Sequence, residues 1–534
     1  MIYVTDKNST EYGYYYMYGT NAASLGYYAY KSKDLENWSQ AGLVFKPTDG
    51  MLTQGDFYAP EVIYDKDTDQ YYMFYSGKGK DSTGKVSGIN YLCVATSKEP
   101  YGPFAPCTES GLTVNEPLLD TSKVPNISGA WNCIDASPFI GADGEKYLLF
   151  CRVEDPGCHK KSNGEYADSV WGMRMKSWSE PDYTTLTRLT MPGYRTVDRS
   201  EKAEYEWQNG TITERNEAPH MYVSRKNGKV TYHLTFSING TADYAVIQAV
   251  GDSPLGSYKK LTKNEGGILL AEEELNWDHI QGPGHHCFIQ AGNELFIFYH
   301  EQVSRDKVQE GEAVWKRFVA KDRVLLTENG NGQAVLVVNG PTWSLQPKVE
   351  AYAKYHNIAS QATVKVDNGW NEKALTDGIL SIQNYGYNGF QLVDEYMFWS
   401  VPAGQQASAA YKNQSAKATI TLDFGEYREI TGLMIYNSRS YNDAFQEIER
   451  IEFDYTDETH LQGATAYIEQ LPFDMESYAN TSKKMMRPGG SAVATFAPMK
   501  VKQIRITIKT GDTKPGYEPY YGMVKLSEIV VLGK

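Results

Sequence analysis

Three short stretches set a carboxylic acid beside a small residue or a proline: Tyr58-Ala59-Pro60-Glu61-Val62, Ile134-Asp135-Ala136-Ser137-Pro138-Phe139 and Asn216-Glu217-Ala218-Pro219-His220. Each stands at the mouth of a strand-forming run; the third precedes Lys229 to Ser237. An acid held stiffly over a pocket suits proton transfer to a sugar. Glycoside hydrolysis with inversion needs one carboxyl to protonate the leaving oxygen and another to activate water, roughly 6.5–9.5 Å away. Carboxyls that share a cavity raise one another's pKa, which keeps the acid protonated near neutral pH. A lone Asp or Glu at a strand start is ordinarily a turn former. Recurrence at equivalent places singles these out, with Glu217 the candidate general acid and Asp135 a carboxyl that could meet it across a shared cavity.

The elements that must position them form a repeat. An aromatic strand, a second strand and a polar turn recur from Tyr14-Tyr15-Tyr16-Met17-Tyr18, Tyr71-Tyr72-Met73-Phe74-Tyr75, Lys146 to Phe150, Thr231 to Ser237 and Glu294 to His300. Five degenerate repeats of roughly 60–75 residues, bounded by Gly, Pro, Asn and Asp turns, predict propeller blades. A β-sandwich is the alternative, but it would not repeat the order of aromatic strand, second strand and Trp or Pro-Gly turn. The innermost strand of each blade borders the channel, so acids at their starts face one cavity. The pattern stops near Asn339-Gly340-Pro341-Thr342-Trp343. The expected fold is all-β: a five-bladed β-propeller over 1–345, a connector over 346–370 and a β-sandwich or jelly roll over 371–534. The last is read from Lys417 to Gly425, Ile430 to Asn437, Ile451 to Tyr455, Val501 to Ile508 and Leu526 to Leu532.

The chain has 534 residues and a formal net charge of −14 from 52 basic and 66 acidic side chains. No basic block interrupts it, which argues against nucleic acid and anionic membranes as partners. No apolar run approaches the roughly 20 residues of a membrane span, and a basic, apolar secretory leader is not visible. The 41 tyrosines suit stacking on sugar faces, although β-rich proteins collect tyrosine anyway. Cys93, Cys107, Cys133, Cys151, Cys158 and Cys287 lack paired metal-ligand spacing; Cys151 and Cys158 could pair. A monomer without an organic cofactor is expected.

The repeat region resembles glycoside hydrolase family 43, five-bladed β-propeller enzymes that invert configuration and act mainly on arabinose- and xylose-containing glycans. The resemblance rests on Phe57-Tyr58-Ala59-Pro60-Glu61-Val62, on Ile134 to Phe139 with Asp143-Gly144, and on Glu217-Ala218-Pro219-His220-Met221-Tyr222. Gly282-Pro283-Gly284-His285-His286 and Val338 to Thr342 complete it, in the family's order. It implies Glu217 as general acid and Asp135 as the carboxyl that tunes and orients it. His285 or His286 would reach the channel axis, where a calcium or other ion is often held. Tyr58, Glu61, His220 and Arg317 are the candidate substrate contacts. An α-L-arabinofuranosidase or β-xylosidase is the default expectation. A silent glycan-binding protein, or another specificity such as galactan hydrolysis, is the alternative.

The family's general base is an Asp in a D-P-x-I/V motif on the first blade's inner strand. Here that strand corresponds to Met1-Ile2-Tyr3-Val4-Thr5, so the base is expected upstream of Met1. A leader would lie there too, in a secreted or periplasmic protein; a true start at Met1 implies a cytoplasmic one. The C-terminal region resembles discoidin (F5/8 type C) modules, including carbohydrate-binding module family 32, from Ala374-Leu375-Thr376-Asp377-Gly378 to Ser527-Glu528-Ile529. That implies a structural Ca²⁺ at Asp377 and Glu528, with Tyr385, Tyr387 and Trp399 as candidate sugar contacts.

Overall fold

The computed structural model describes residues 1–20, 22–125, 127, 129–208, 210–240, 243–271, 281–302, 317–342, 344–366, 369–370, 372–380, 396–399, 417–437, 447–456, 464–468, 474–475, 491–509 and 523–534. They form two compact units, one over Met1–Val338 and one from Asn339 onward. Among the described residues no helix is long and apolar enough to cross a membrane.

The first unit holds five antiparallel sheets in chain order, each with a path of four strands, and a separate two-stranded ribbon, Trp207–Gln208 with Thr211–Ile212. Blade one runs Ile2–Tyr3, Tyr15–Tyr18, Tyr27–Ser32 and Ser39–Phe45; blade two runs Gly55–Asp65, Gln70–Lys78, Tyr91–Ser97 and Ala105–Pro106. Blade three runs Cys133–Ile140, Lys146–Arg152, Ser169–Ser177 and Glu180–Pro181. Blade four runs Asn216–Lys226, Lys229–Ile238, Ala245–Gly251 and Lys259–Lys260; blade five runs Gln281–Ala291, Glu294–Gln302, Arg317–Glu328 and Ala334–Asn339. First strands of successive blades neighbour one another and so ring a common axis. The five-bladed propeller expected from the repeat is the fold observed.

The second strand of each blade is covered on both faces by neighbouring blades. This is why Tyr72-Met73-Phe74-Tyr75 and Leu148-Leu149-Phe150-Cys151 read as unbroken apolar runs instead of alternating ones. Apolar layers between blades one and two (Tyr27, Phe45, Phe57, Met73), two and three (Phe74, Leu148, Trp178) and three and four (Leu149, Leu234, Phe236) hold the ring. Each such side chain is worth about 1.5–3 kcal/mol when fully buried. Blade five closes onto blade one without a covalent link. The Trp38 ring meets Phe298 edge-on at 6.1 Å between centroids, and Lys321 pairs with Glu36.

The second unit is antiparallel β and consistent with a β-sandwich. The two strands expected over 417–425 and 430–437 are one bent strand, Lys417–Asn437, which follows Ser491–Lys509 on both sides of register shifts near Asp423 and Ile430. Leu422, Ile430, Leu433, Phe453, Ile506 and Ile529 share its core. Part of the expected connector belongs to this sheet: Thr363–Val366 pairs with Thr421 and its neighbours, and His356–Asn357 pairs with Leu532-Gly533. Tyr385 and Tyr387 lie outside the described residues, and Trp399 ends a strand, Tyr396–Trp399.

Candidate active site

The Asn216 to Tyr222 stretch, expected to precede a strand, lies inside one of eleven residues, Asn216–Lys226. It carries a β-bulge, and so do three other inner strands at the same place. Ala59-Pro60 oppose Tyr75 alone, Asp135-Ala136 oppose Phe150, Ala218-Pro219 oppose Phe236, and His285-His286 oppose Tyr299. The first bulge residue is left-handed in each: φ is 49° at Ala59, 59° at Asp135, 52° at Ala218 and 45° at His285. A bulge leaves its extra residue outside the ladder, which is why Pro60 and Pro219, with no N–H to give, are tolerated mid-strand. It also bends the strand and re-aims the adjacent side chains. The aromatic residue opposite each bulge is buried and props it. A non-glycine residue in this backbone region costs about 1–2 kcal/mol. Ala218→Val, which adds β-branching, is expected to lower stability by about 1–3 kcal/mol, read as a fall in the denaturant midpoint. Ala218→Gly should hold stability within about 1 kcal/mol, because glycine adopts this conformation freely.

The bulges of blades three and four bring Asp135 and Glu217 together on neighbouring strands. Asp135 Oδ2 accepts the backbone N–H of Ala218 at 2.9 Å, so one carboxylate is tied to the residue that follows the other. Both side chains are buried. Burial, and then Asp135 beside it, pushes Glu217 above the ordinary carboxylate range; Arg215 and a hydrogen bond from Tyr244 oppose the rise. Burial, and then Asp168, raises Asp135 against the pull of the Ala218 N–H. Tyr244 donates to Glu217 Oε1, and Arg215 Nη1 stands 3.6 Å from the same oxygen. Asp168, 3.6 Å from Arg215 Nε and 3.1 Å from Lys161 Nζ, anchors the guanidinium.

The remaining expected residues divide between this pair and a neighbouring group. Glu61 and His220 face each other at 3.5 Å; burial holds His220 down to about 3, so it is neutral and this is no ion pair. Burial raises Glu61 to about 7, against the charge of the Met1 ammonium and a hydrogen bond donated by Ser137. They lie beyond the bulges, Ser137 two residues past Asp135 and His220 three past Glu217. Tyr58 is 39% exposed, with its carbonyl fixed by the Tyr27 hydroxyl at 3.0 Å. Arg317 is exposed, 3.5 Å from His300 Nε2, and near enough for its charge to pull Asp135 down.

His285 and His286 part company at the bulge. His286 Nε2 is bonded to Thr235 Oγ1 at 2.6 Å, whereas His285 feels the charges of Glu217 and Arg317. Hard cations take six to eight oxygen ligands, and one imidazole does not supply that set, so His285 alone does not fit a calcium ion. Among the described residues no three His, Cys, Asp or Glu side chains converge on one ion position. In the second unit Glu528 is buried, its Oε2 accepting the Gly378 N–H at 3.1 Å, with Asn357 Nδ2 3.5 Å from Oε1. Asp377 takes the Ile379 N–H at 2.9 Å. Burial raises Asp377 to about 6 and Glu528 well above its ordinary value, the latter with Asp377 adding to the rise. A buried carboxylate, Glu528, beside a solvent-facing one, Asp377, is a donor pair that suits an oxygen-loving divalent cation. All six cysteines are free thiols, Cys151 and Cys158 included.

The glycosyl hydrolases family 43 model matches residues 5–331. The chain belongs to that family. A curated relative, the probable arabinan endo-1,5-alpha-L-arabinosidase B of Aspergillus fumigatus, is 33% identical over 116 residues, which are 21% of this chain and 28% of the relative. The chain thus aligns with less than a third of that protein's length. Among solved structures, a thermostable family-43 glycoside hydrolase is 27% identical with a TM-score of 0.47, covering 63% of this chain and 92% of its own. An endo-1,4-beta-xylanase from Bacteroides thetaiotaomicron is 25% identical with a TM-score of 0.44, covering 61% and 91%.

Within this family-43 chain, sequence reading missed Tyr244, Arg215, Asp168 and Lys161 around the acid pair. Arg215 had a signal, since it lies two residues before Glu217 and so on the same side of an extended chain. Tyr244 had none. It precedes the third strand of blade four, and only the sheet register brings its hydroxyl to Glu217. Gly284 leaves it room: a Cβ there would meet Tyr244 Cδ2 at 2.3 Å.

Proposed function

We propose that the chain is an inverting glycoside hydrolase of arabinose- and xylose-containing plant-type glycans, by default an α-L-arabinofuranosidase or β-xylosidase, with Glu217 as general acid. The observation that carries this is the pair of buried carboxyls on adjacent bulged inner strands, inside the stretch matched by family 43. Glu217 Oε1 is engaged by Tyr244 and faces Arg215, which leaves Oε2 to carry the proton. That proton passes to the glycosidic oxygen as the C1–O bond breaks, while water adds to C1 from the opposite face and gives its proton to a base. No described residue is assigned as that base. Asp135 sets the proton affinity of Glu217 and, through Ala218, its position; the exposed Tyr58 ring offers a stacking face to a sugar. The arabinanase name of the curated relative puts arabinan first among trial substrates.

The test is product release from arabinan, arabinoxylan, xylan and galactan, with the anomer formed followed by NMR, for the wild-type chain and Glu217→Gln. A loss of roughly 10³-fold or more in kcat is expected for the variant. Equal activity would remove the acid assignment, release of the retained anomer would remove the inverting mechanism, and no release from any glycan would favour a silent binder.

Glu217 must be protonated to act, and its pKa lies above the usual carboxylate range, so activity should persist toward neutral pH and decline as pH rises through that value. Tyr244→Phe removes a hydrogen bond that favours the charged form. The alkaline limb of the kcat profile should therefore move upward while kcat falls about tenfold, since a bond to a charged group is worth about 1.5–3 kcal/mol. An unmoved limb would contradict it.

The second unit is proposed as a discoidin-like carbohydrate-binding module, with Asp377 and Glu528 holding a structural Ca²⁺. The ion would neutralise two neighbouring carboxylates that otherwise repel, one of them, Glu528, buried. EDTA should lower the unfolding midpoint of this unit, excess Ca²⁺ should restore it, and Glu528→Gln should lose the response. A midpoint indifferent to EDTA and Ca²⁺ argues against the ion.

A further inference from the structure

Behind Glu217 lies a fully buried ion pair that no step above uses. Lys260 is 1% exposed, and Glu206 and Asn216 are completely buried. Lys260 Nζ donates to Glu206 Oε2 at 2.6 Å, to Asn216 Oδ1 at 2.9 Å and to the Met191 carbonyl at 2.9 Å. Its three ammonium protons are all used. Glu206 Oε1 accepts from Asn216 Nδ2 at 2.6 Å, and Oε2 also takes the Gly193 N–H at 3.0 Å. Both polar atoms of the Asn216 side chain are thus gripped by opposite charges. Its main chain is held as well, the N–H by the Asp168 carbonyl at 3.1 Å and the carbonyl by the Cys151 thiol at 3.7 Å.

We infer that Lys260 and Glu206 are positioning residues for Glu217, acting by clamping Asn216, the residue before it, at the start of the bulged strand. The inference rests on the reading of Glu217 as general acid. A buried ion pair is a weak source of stability, since apolar residues of similar volume commonly replace one without loss. What this pair adds is direction. Lys260 comes from the outer strand of blade four, and Glu206 from a short 3-10 turn, Glu204–Glu206, in the excursion between blades three and four. The clamp therefore ties the acid-bearing inner strand directly to the outer strand of its own sheet, across the two strands between them, and to a turn outside that sheet. Asn216 and Glu217 are the last two paired residues before the bulge at Ala218-Pro219 breaks the ladder, so on its C-terminal side Glu217 lacks the support of a regular strand. A proton donor displaced by about an ångström can lose 10²-fold in rate.

The experiment compares the wild-type chain with Glu206→Leu/Lys260→Met, Asn216→Ala and Glu217→Gln, on arabinan and xylan and on 4-nitrophenyl α-L-arabinofuranoside and β-D-xyloside. The double variant removes both charges at once, so neither is left buried alone; Asn216→Ala leaves the ion pair intact. Both should fold, with kcat on the glycans down at least tenfold and KM within twofold. Aryl glycosides, whose leaving group needs little protonation, should lose far less, a split that general loosening of the fold would not produce. Equal losses on both substrate types, or unchanged kcat in a folded variant, would overturn the clamp. If the double variant does not fold, Asn216→Ala decides alone. Full activity of Glu217→Gln would instead sink the acid reading beneath it.

Discussion

Asp135→Asn is expected to lower kcat on the glycan substrate by roughly 10²–10³-fold, leave KM within a fewfold, and move the alkaline limb of the kcat profile to lower pH. The amide keeps the size of the carboxyl and can still accept the Ala218 N–H, which Asp135 Oδ2 takes at 2.9 Å, so the bulge should survive. What disappears is a negative charge that raises Glu217. With it gone Glu217 ionises more easily and is lost as a proton donor at a lower pH. Stability follows the same sign. Asp135 and Glu217 have folded pKa values above their unfolded ones, so their stabilising effect is complete below the unfolded values and is lost as pH rises through the folded ones. In Asp135→Asn the loss of stability across this range should shrink. Paired pH–rate and pH–melting curves read both effects, and an alkaline limb that stays in place would contradict the role given to Asp135.

The second large effect is structural. Asp155 is completely buried and is the hub of the charged cluster beside blade three. It accepts from Arg188 Nε and Nη2, both at 2.8 Å, from Trp171 Nε1 at 3.0 Å, from Ser169 Oγ at 2.6 Å and from the Gly157 N–H at 3.0 Å. Arg152 Nη1 is 3.4 Å away, and its guanidinium lies 3.7 Å from the centroid of the Trp131 ring. Asp155→Ala leaves these two arginines without their anion, and breaking a buried pair from one side costs about 3–5 kcal/mol. The denaturant midpoint of the propeller should fall accordingly, and Asp155→Leu/Arg188→Met should recover part of the loss. Burial raises the Asp155 pKa, but hydrogen bonds led by those from Arg188 outweigh it and leave the value depressed. This contribution is therefore present above the unfolded pKa and lost as pH falls through the folded one, opposite in slope to that of Asp135. A variant that melts like the wild type would mean that the cluster contributes little.

The amino-acid order alone determined the ring. Aromatic runs repeated in a fixed order with a second strand and a turn fit blades that bury both faces against their neighbours better than a sandwich, so the five-fold architecture was legible without coordinates. The Ala-Pro pairs after Tyr58 and Glu217 were legible as stiff places, and Glu217 and Asp135 as acids at strand mouths. That each lies on or beside a bulge with left-handed backbone was not, because a bulge is a mismatch between two strands, and one strand's sequence does not state its register. Nor could the sequence supply Tyr244 or the Lys260–Glu206 grip on Asn216, whose partners are far apart in the chain and meet only through the blade geometry. His285 and His286, equal candidates by position, were separated only by the bulge, which turns one toward Thr235 and the other toward the acid pair. The sequence specified which residues could do the chemistry. Their proton affinities and directions were decided by burial and sheet register, which exist only once the ring has closed.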